Sequence, residues 1–266
     1  MFLKNYLKKN IFANLIRNSI HSFPSAYISP KVKKTSISDF FFYKCNEDFS
    51  SKIMLFNLSS HVLPEIVQSE IVKLFFFDQH GMLLKSVDYK LEYQEIREIM
   101  ISDLVDDGYG SFFAFHLFKN FGELLENNSY IAERGYAAYK SKDSIWSFVH
   151  GNHNAAYLDN KYNIKSILGK SLKKNNFYTP QVSFLDQNEF EIIINNPSKS
   201  NISVEINLKD KFNHIIEKKI FDINSFGTKV FSCKKKIDIL ELNSMNILNR
   251  PIIIKYYESN FDIFHG

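Results

Sequence analysis

The sequence predicts a mainly β protein made of two tandem antiparallel β-sandwich units that follow an amphipathic N-terminal helix. Beyond residue 38, short runs of β-branched and aromatic residues alternate with turn residues, which is typical of antiparallel sheets. The chain lacks the regular succession of strands and long helices that predicts a parallel sheet. A third observation is that the order of these runs occurs twice. With 266 residues, 45% hydrophobic and 23% charged, the chain can bury a substantial core.

The first 22 residues predict the helix. MFLKNYLKKNIFANLIRNSIHS places apolar residues at helical spacing, with basic residues and asparagines between them. Lysines interrupt the apolar runs, so no segment here is long enough to span a bilayer. Three interpretations stay open: the helix packs on its own protein, lies on an anionic membrane surface, or is an organelle transit peptide. The apolar positions are Phe2, Leu3, Tyr6, Leu7, Ile11, Leu15, Ile16 and Ile20.

The remaining chain divides into four predicted segments. Residues 23–38 contain two prolines and predict a linker. We expect the first sandwich unit at residues 39–160, a basic connector at 161–176 and the second unit at 177–266. The first unit carries additional sequence, DLVDDGYGSFFAFHLFKNFGELLENNSYIAERGY (103–136), where the second has only a short connection.

The two units look like one unit repeated. Each begins with a β-rich run that ends in an asparagine, Asn57 or Asn196, and continues through an alternating strand to an aspartate, Asp78 or Asp210. The closing runs YKSKDSIWSFVHG and YESNFDIFHG also match, and side chains on a strand alternate between faces. This alignment sets Trp146, Phe148 and His150 against Phe261, Ile263 and His265. In this pattern of strands, each unit resembles the general class of immunoglobulin-like sandwiches, which implies two packed antiparallel sheets per unit.

The richest candidate site is the stretch around IWSFVHGNHNAAY. Flat aromatic rings pack against the apolar faces of sugars, and amide or imidazole groups supply directional hydrogen bonds. Trp146 is either a core residue or part of such a platform, and the segment after the strand is expected in a loop, where binding residues are common. The predicted ligand-binding residues are Tyr136, Tyr139, Trp146, His150, Asn152, His153, Asn154 and Tyr157.

A metal site is the alternative for the same stretch. Two imidazoles three residues apart can reach one metal ion where the backbone turns, so His116, His150 and His153 form a candidate set for a metal-assisted hydrolase. Glu133 or Asp159 would act as the base. The run DLVDDGYGS holds three aspartates around two glycines, but its order differs from a calcium-binding EF-hand, and turn chemistry is the favoured interpretation.

Composition narrows the function further. No Walker A loop, GxGxxG, GxSxG or kinase motif is present, so the common enzyme classes lose support. Cys45 and Cys233 form neither a zinc motif nor a disulfide framework. A net charge of +4 is too small to indicate nucleic acid. We therefore expect a non-catalytic ligand-binding or assembly protein without a cofactor, recognising a glycan or glycoconjugate, able to form homo-oligomers, and cytoplasmic or peripheral to a membrane.

Overall fold

The computed structural model describes residues 36–62, 64–65, 67–117, 135–142, 144–159, 161–166, 176–245 and 250–265. Within these ranges the chain is mainly β, with several antiparallel sheets and almost no helix. The mainly β prediction is therefore confirmed. The predicted helix at residues 1–22 and most of the linker lie outside the described residues. No helix in the described part is long and apolar enough to cross a membrane.

The structure has eighteen strands in the described ranges, one short α-helix and one 3-10 turn. The strands are β1 Ile37–Cys45, β2 Phe49–Phe56, β3 Glu70–Asp78, β4 Leu83–Leu91, β5 Ile96–Met100, β6 Gly108–Leu117, β7 Tyr136–Ser141, β8 Ser147–His150, β9 Asn152–Leu158, β10 Ile164–Ser166, β11 Asn176–Tyr178, β12 Glu189–Asn195, β13 Ile202–Lys209, β14 Ile215–Ile223, β15 Thr228–Cys233, β16 Ile239–Ser244, β17 Ile252–Tyr256 and β18 Phe261–His265. The helix α1 is Leu58–Val62 and the 3-10 turn is Ile101–Asp103.

These strands form four sheets. In the N-terminal half (36–166), sheet I has the order β10-β9-β1-β6-β3-β4 and sheet II has the order β5-β2-β7-β8. In the C-terminal half (176–265), sheet III is β11-β16-β13-β14 and sheet IV is β15-β12-β17-β18. Neighbouring strands in these sheets pair antiparallel. The arrangement is consistent with β-sandwich packing.

Each half has an apolar core between its two sheets. In the N-terminal half, Ile53 of sheet II shares a buried cluster with Phe76 and Phe112 of sheet I, whose rings stack at 5.1 Å. In the C-terminal half, Ile192 of sheet IV shares another cluster with Leu240 of sheet III. These side chains occupy alternate positions of their strands, as expected when one face of a sheet is directed to a core.

Seven strands of each half follow the same order. Sheet II (β5-β2-β7-β8) corresponds strand for strand to sheet IV (β15-β12-β17-β18), and β6-β3-β4 of sheet I corresponds to β16-β13-β14 of sheet III. In this comparison β6 is the counterpart of β16. Residues 108–117, which the sequence assigned to an insertion in the first half, are thus a regular strand with an equivalent in the second half.

The two asparagines matched in the sequence occupy equivalent places. Asn57 directly follows β2, and its Nδ2 donates to the backbone oxygen of Glu92 at 2.9 Å. Asn196 directly follows β12, and its Nδ2 donates to the backbone oxygen of Asn224 at 2.8 Å. The accepting residues directly follow the second strands of the β3-β4 and β13-β14 hairpins, which belong to the opposite sheets. Each asparagine is buried and ties the end of one sheet to the other sheet.

The two matched aspartates also form the same structure, a turn in a β-hairpin. Asp78 and Asp210 each accept hydrogen bonds from the backbone N–H groups two and four residues further along, at 2.8–2.9 Å. The third residue after each aspartate has a left-handed backbone, Gly81 with φ 83° and Asn213 with φ 67°. Glycine and asparagine tolerate this conformation best, which explains why these residue types follow the aspartates.

Sheet IV is buried on both faces. One face lines the core of the C-terminal half, and the other packs against the N-terminal half, where Ile193, Ile254 and Ile263 join the same buried cluster as Ile53. Every residue of β12 after Glu189 is buried. A sheet covered on both sides favours apolar residues at successive positions, and Ile192, Ile193 and Ile194 provide them on β12.

A charged contact accompanies this apolar interface. Lys44 of β1 contacts both carboxylate oxygens of Glu191 at 3.0 and 2.9 Å, and the hydroxyl of Tyr256 donates to Glu191 at 2.9 Å. Burial, followed by the charge of Glu191, raises the pKa of Tyr256 well above its usual value, so the phenol stays protonated. Each of the three side chains thus has a hydrogen-bonding partner at the junction of the two halves.

The hairpin turn at Gly81 fits closely against the C-terminal half. The turn before β15 carries Phe226, whose ring lies 4.9 Å from that of Phe77 and 5.9 Å from that of Phe113. A Cβ atom added at Gly81 would lie 1.8 Å from the backbone oxygen of Ser225. Only glycine therefore fits at this contact.

In sheet I the strand bounds differ from the predicted segment bounds at two places. β1 begins at Ile37, inside the predicted linker, and β10 (Ile164–Ser166) extends sheet I into the predicted connector. Both differences add a strand or its first residues to sheet I, because backbone pairing continues beyond the residues with clear alternation. The division into two units stays a prediction.

We expect Asn57→Ala and Asn196→Ala each to destabilise the protein by about 1–3 kcal/mol, because buried backbone oxygens would lose their donor. Chemical denaturation measured by circular dichroism would show this. Asn260→Ala, at an exposed asparagine between β17 and β18, is the matched control and should change stability by less than about 0.5 kcal/mol. Equal effects at all three positions would contradict the assigned role of the buried pair.

Gly81→Ala should lower stability by at least about 2 kcal/mol more than Gly108→Ala. Both glycines have positive φ, 83° and 148°, so both substitutions strain the backbone, but a Cβ at Gly108 has open space around it. Because φ 148° strains an alanine at least as much as φ 83° does, the difference gives a lower bound for the clash between the halves. Thermal unfolding of the two variants would measure it, and similar melting temperatures would show that the contact at Ser225 is not tight.

Candidate functional site

The outer face of sheet II, opposite the core, is an exposed surface rich in aromatic residues. Tyr136 is 53% exposed and Phe148 is 52% exposed. Trp146, just before β8, is half-buried beside them. Large exposed apolar patches on soluble proteins are commonly binding surfaces. We call this surface the aromatic face; its members are Lys52, Met54, Glu98, Tyr136, Lys140, Trp146, Phe148 and His150.

The strand register fixes which side chains of the aromatic face are neighbours. Lys52, Ala138 and Phe148 pair across β2, β7 and β8 and form one row. Met54, Tyr136 and His150 form the adjacent row. Paired residues point to the same face of a sheet, so each row is a set of adjacent side chains.

Lys52 organises this face. Its ammonium lies 4.2 Å from the centre of the Trp146 ring and 5.9 Å from that of Phe148, and it forms an ion pair with Glu98 at 2.8 Å. The Lys52 side chain is only 8% exposed, whereas that of Glu98 is 49% exposed. Cation–π contact and the ion pair together hold Trp146 and the carboxylate in fixed positions at the surface.

The equivalent face of sheet IV is covered. By strand order and register, the row Glu191, Ile254, Ile263 has the place of Lys52, Ala138, Phe148. The next row of sheet IV is equivalent to the second row of the aromatic face: Ile193, Ile252 and His265 correspond to Met54, Tyr136 and His150. The covered face is largely aliphatic and packs against protein, whereas its exposed counterpart is aromatic and charged. The two faces therefore suit different surroundings.

Several predicted site residues lie elsewhere. Tyr139 is fully buried, and its hydroxyl donates to the backbone oxygen of Phe42 at 2.7 Å, so it is a core residue and not part of an exposed platform. The sequence missed this because Tyr139 and Tyr136 belong to the same strand but to opposite faces. Tyr157 is half-buried and lies on β9 in sheet I, so it belongs to a different sheet from the aromatic face.

The segment 152–154 forms no loop. Asn152–Leu158 is strand β9, in which Asn152 pairs with Phe40 of β1. At Gly151 the chain passes from sheet II to sheet I, and a Cβ there would lie 2.6 Å from the Cβ of Asp39. The predicted loop is wrong because the chain changes sheets within a single residue. The side chains of residues 152–154 lie outside the described part of the structure.

The proposed metal ligands have other partners where the structure describes them. His116 lies on β6 with its Nδ1 2.8 Å from the buried carboxylate of Glu70. His150 donates from Nδ1 to the backbone oxygen of Gly151 at 2.9 Å. Among the described side chains, no group of three or more histidines, cysteines, aspartates or glutamates is placed to hold a metal ion. The His153 side chain and Glu133 lie outside the description.

Asp159, the other proposed base, closes the turn between β9 and β10. Hydrogen bonds, the largest from the backbone N–H of Asn163, lower its pKa to about 2. A carboxylate held so firmly in its charged form is a poor general base near neutral pH. Its role is structural.

The aspartates of DLVDDGYGS border a cleft of about 350 Å³ beside the turn at Asp78. Asp106, Asp107 and Asp78 line it together with Tyr43 and Lys85. These carboxylates form no metal-binding group among the described residues. The favoured interpretation of this run, turn chemistry, fits the 3-10 turn that precedes β6.

The two aligned histidines meet at the edge of the aromatic face. The rings of His150 and His265 lie 4.5 Å apart, and His265 donates from Nε2 to the backbone oxygen of His150 at 2.6 Å. Burial, with a smaller contribution from the nearby charges of His150 and Arg250, lowers the pKa of His265 to about 4. The imidazole is therefore neutral in the folded protein near pH 7.

This depressed pKa predicts acid sensitivity. Unfolded His265 takes up a proton near pH 6.5 but the folded protein resists it down to about pH 4, so the stabilisation is complete above pH 6.5 and disappears as pH falls through 4. The free energy of unfolding should fall by about 3 kcal/mol over this pH range. Denaturation at a series of pH values would measure it. His265→Gln should flatten the pH dependence over that window, and an unchanged slope would contradict the assignment.

Comparison with known proteins assigns this chain to no family. No family model and no curated protein matches this chain. A glycosyl hydrolase family 2 member from Bacteroides cellulosilyticus is similar over 85% of this chain and 27% of its own, with 12% identity and a TM-score of 0.18. For β-glucuronidase 2 from Bacteroides uniformis, a calcium-binding mutant gives 10% identity, 85% and 26% coverage and a TM-score of 0.17. The chain spans about a quarter of the length of these proteins, and likeness this low carries no argument about function.

Proposed function

We propose that this chain is a non-catalytic glycan-binding protein, built from two tandem immunoglobulin-like sandwich units, with the aromatic face of sheet II as its recognition surface. The observation that carries the proposal is the contrast between sheets II and IV. At two equivalent pairs the covered residue is isoleucine and the exposed one is aromatic: Ile252 and Tyr136, and Ile263 and Phe148.

A sugar suits this surface because it has both apolar and polar sides. The rings of Trp146, Phe148 and Tyr136 offer flat apolar areas for the C–H groups of a pyranose. Glu98 is half exposed beside Trp146 and can accept hydrogen bonds from sugar hydroxyls. Lys52 keeps Trp146 and Glu98 in place before any ligand arrives, which reduces the entropy lost on binding.

The groups beside the aromatic face favour binding over catalysis. The described carboxylates and imidazoles near the aromatic face are engaged in ion pairs or backbone hydrogen bonds, as Glu98 and His150 are. An open sheet face also leaves a ligand exposed to water, whereas catalytic sites usually enclose the reacting atoms. The cytoplasmic or membrane-associated location and homo-oligomer formation remain proposals that rest on the sequence.

We expect Trp146, the only tryptophan, to report glycan binding directly through its fluorescence. Titration with a panel of oligosaccharides should change the emission for at least one class. Phe148→Ala and Tyr136→Ala should each weaken that binding by roughly threefold to tenfold, since each ring contributes about 0.5–1.5 kcal/mol.

The matched control is Tyr162→Ala. Its ring is 59% exposed but lies in the turn between β9 and β10, outside the aromatic face, so affinity should not change. A glycan array probed with the wild-type protein and with Trp146→Ala extends the test to many structures. Absence of binding throughout the array, or equal loss in the control variant, would refute the proposal.

A further inference from the structure

Strand β14 forms an exposed edge of the C-terminal half. It lies at the end of sheet III, with β13 on one side and no other described strand on the opposite side. A strand in this position leaves a row of backbone N–H and C=O groups unpaired, so it can pair with a strand of another chain. Ile216 is 48% exposed and Ile220 is 61% exposed on this strand. We call residues 216–220 the β14 edge.

Pairing of two identical edges is restricted by backbone geometry. Opposed residues of an antiparallel pair either both direct their backbone groups toward each other or both direct them away. These two orientations alternate along a strand. Two copies of one strand can therefore pair symmetrically only when the two-fold axis passes through a residue, which then faces itself in the partner copy.

We propose that a second copy of this chain pairs with the β14 edge around a two-fold axis at Lys218. In this register Ile216 faces Ile220 of the partner copy and Glu217 faces Lys219 of the partner copy, and each contact occurs twice. The isoleucines lie with Lys218 on the outer face of sheet III, and the two charged residues lie on its inner face. The two copies of sheet III would thus form one continuous sheet.

The lysines of β14 are compatible with this pairing, although lysines usually protect a sheet edge. Lys218 would face itself, which is unfavourable for like charges, but its ammonium already forms an ion pair with Glu205 of β13 at 2.7 Å. Lys219 contacts Glu217 of its own strand at 3.5 Å, and the two-fold register adds Glu217 of the partner copy. The register between β13 and β14 shifts beside Ile216, which limits the proposed pairing to residues 216–220.

The equivalent strand of the N-terminal half lacks this complementarity. β4 is the edge of sheet I as β14 is the edge of sheet III, and Ser86 and Lys218 each lie eight residues after a matched aspartate. An axis through Ser86 would place Leu84 opposite Asp88 and would bring no opposite charges together within residues 84–88. At the equivalent register, symmetric pairing therefore suits β14 and not β4.

The proposed contact is small and separate from the aromatic face. A pairing limited to residues 216–220 is at the low end of protein–protein interfaces, so the dimer should form and dissociate with protein concentration. The inference gives a location to the homo-oligomer of the proposed function, and in that respect it rests on that proposal. Assembly is measured without glycan, so its failure would leave glycan binding by sheet II unaffected.

Lys218→Cys tests the register. The axis would bring the two introduced thiols opposite each other, with Cα atoms about 4.5–5.5 Å apart, which is within reach of a disulfide. Oxidation should produce a covalent dimer on a non-reducing gel, because the native cysteines are buried. Ser86→Cys, at the equivalent exposed position of β4, is the matched control and should remain monomeric. Absence of the covalent dimer, or equal yields from both variants, would overturn the proposal.

Sedimentation velocity measures the dimer of the unaltered chain at concentrations from about 1 μM to about 1 mM. Ile220→Asp should raise the dimer dissociation constant by about tenfold or more, because it places a carboxylate opposite an isoleucine twice. Leu84→Asp, at a 51% exposed position of β4, should change it by less than about twofold. Near-ultraviolet circular dichroism checks that both variants are folded. A monomer at every concentration would refute the inference.

Exchange of charges distinguishes symmetric pairing from capture of an unrelated strand. Glu217→Lys alone would place like charges opposite each other and should weaken the dimer by about fivefold or more. Glu217→Lys with Lys219→Glu restores opposite charges in the two-fold register and should recover most of the affinity. Both variants lose the ion pair of Glu217 with Lys235 within the chain, so that loss does not account for a difference between them. Equal weakening of the two folded variants would contradict the two-fold register.

Discussion

The burial of sheet IV on both faces is the constraint on which the rest of the structure depends. β12 and β17 are almost entirely buried, and one side of each strand belongs to a core that lies mainly in the N-terminal half. Two halves joined only by a linker would be free to move, but a shared core fixes their relation. The ion pair of Lys44 with Glu191 lies within this contact. Replacing only one of the two residues would destabilise the protein, because the other charge would be left buried and unpaired.

This shared core also determines which surfaces remain free. Sheet IV uses its outer face to hold the halves together, so β18 lies beside β8 and the two histidine rings meet. Sheet II has the same strand order but no such partner among the described residues, and its outer face stays open to solvent. The outer faces of sheets II and IV are thus equivalent, and the candidate site is on the one that does not form the contact between the halves.

Much of the framework could be predicted from the sequence, because it depends on local rules. Asn57, Asn196, Asp78 and Asp210 were recognisable as repeated markers, and each makes the same hydrogen bonds as its counterpart. Turn aspartates followed by glycine or asparagine carry their own geometry. Alternation along strands also indicated that residues 146, 148 and 150 share one face, as the register shows for the last two.

The candidate site was harder to predict, because exposure depends on how sheets pack and not on any short pattern. Trp146 could be core or surface by sequence alone, and Lys52, which holds it, is distant in the chain. Tyr139 is buried and Tyr136 is exposed, because they lie three residues apart on one strand and therefore point to opposite faces. The passage from sheet II to sheet I at Gly151 had no signal beyond the glycine itself.

The order of the two halves along the chain has a consequence for biosynthesis. β12 carries isoleucines on both of its faces, and such a strand readily pairs with other chains when it is left uncovered. Translation proceeds from the N-terminus, and domains generally fold as units while it continues. The surface that receives sheet IV is therefore complete before β12 leaves the ribosome. The reverse order would leave β12 uncovered until the N-terminal half had been synthesised.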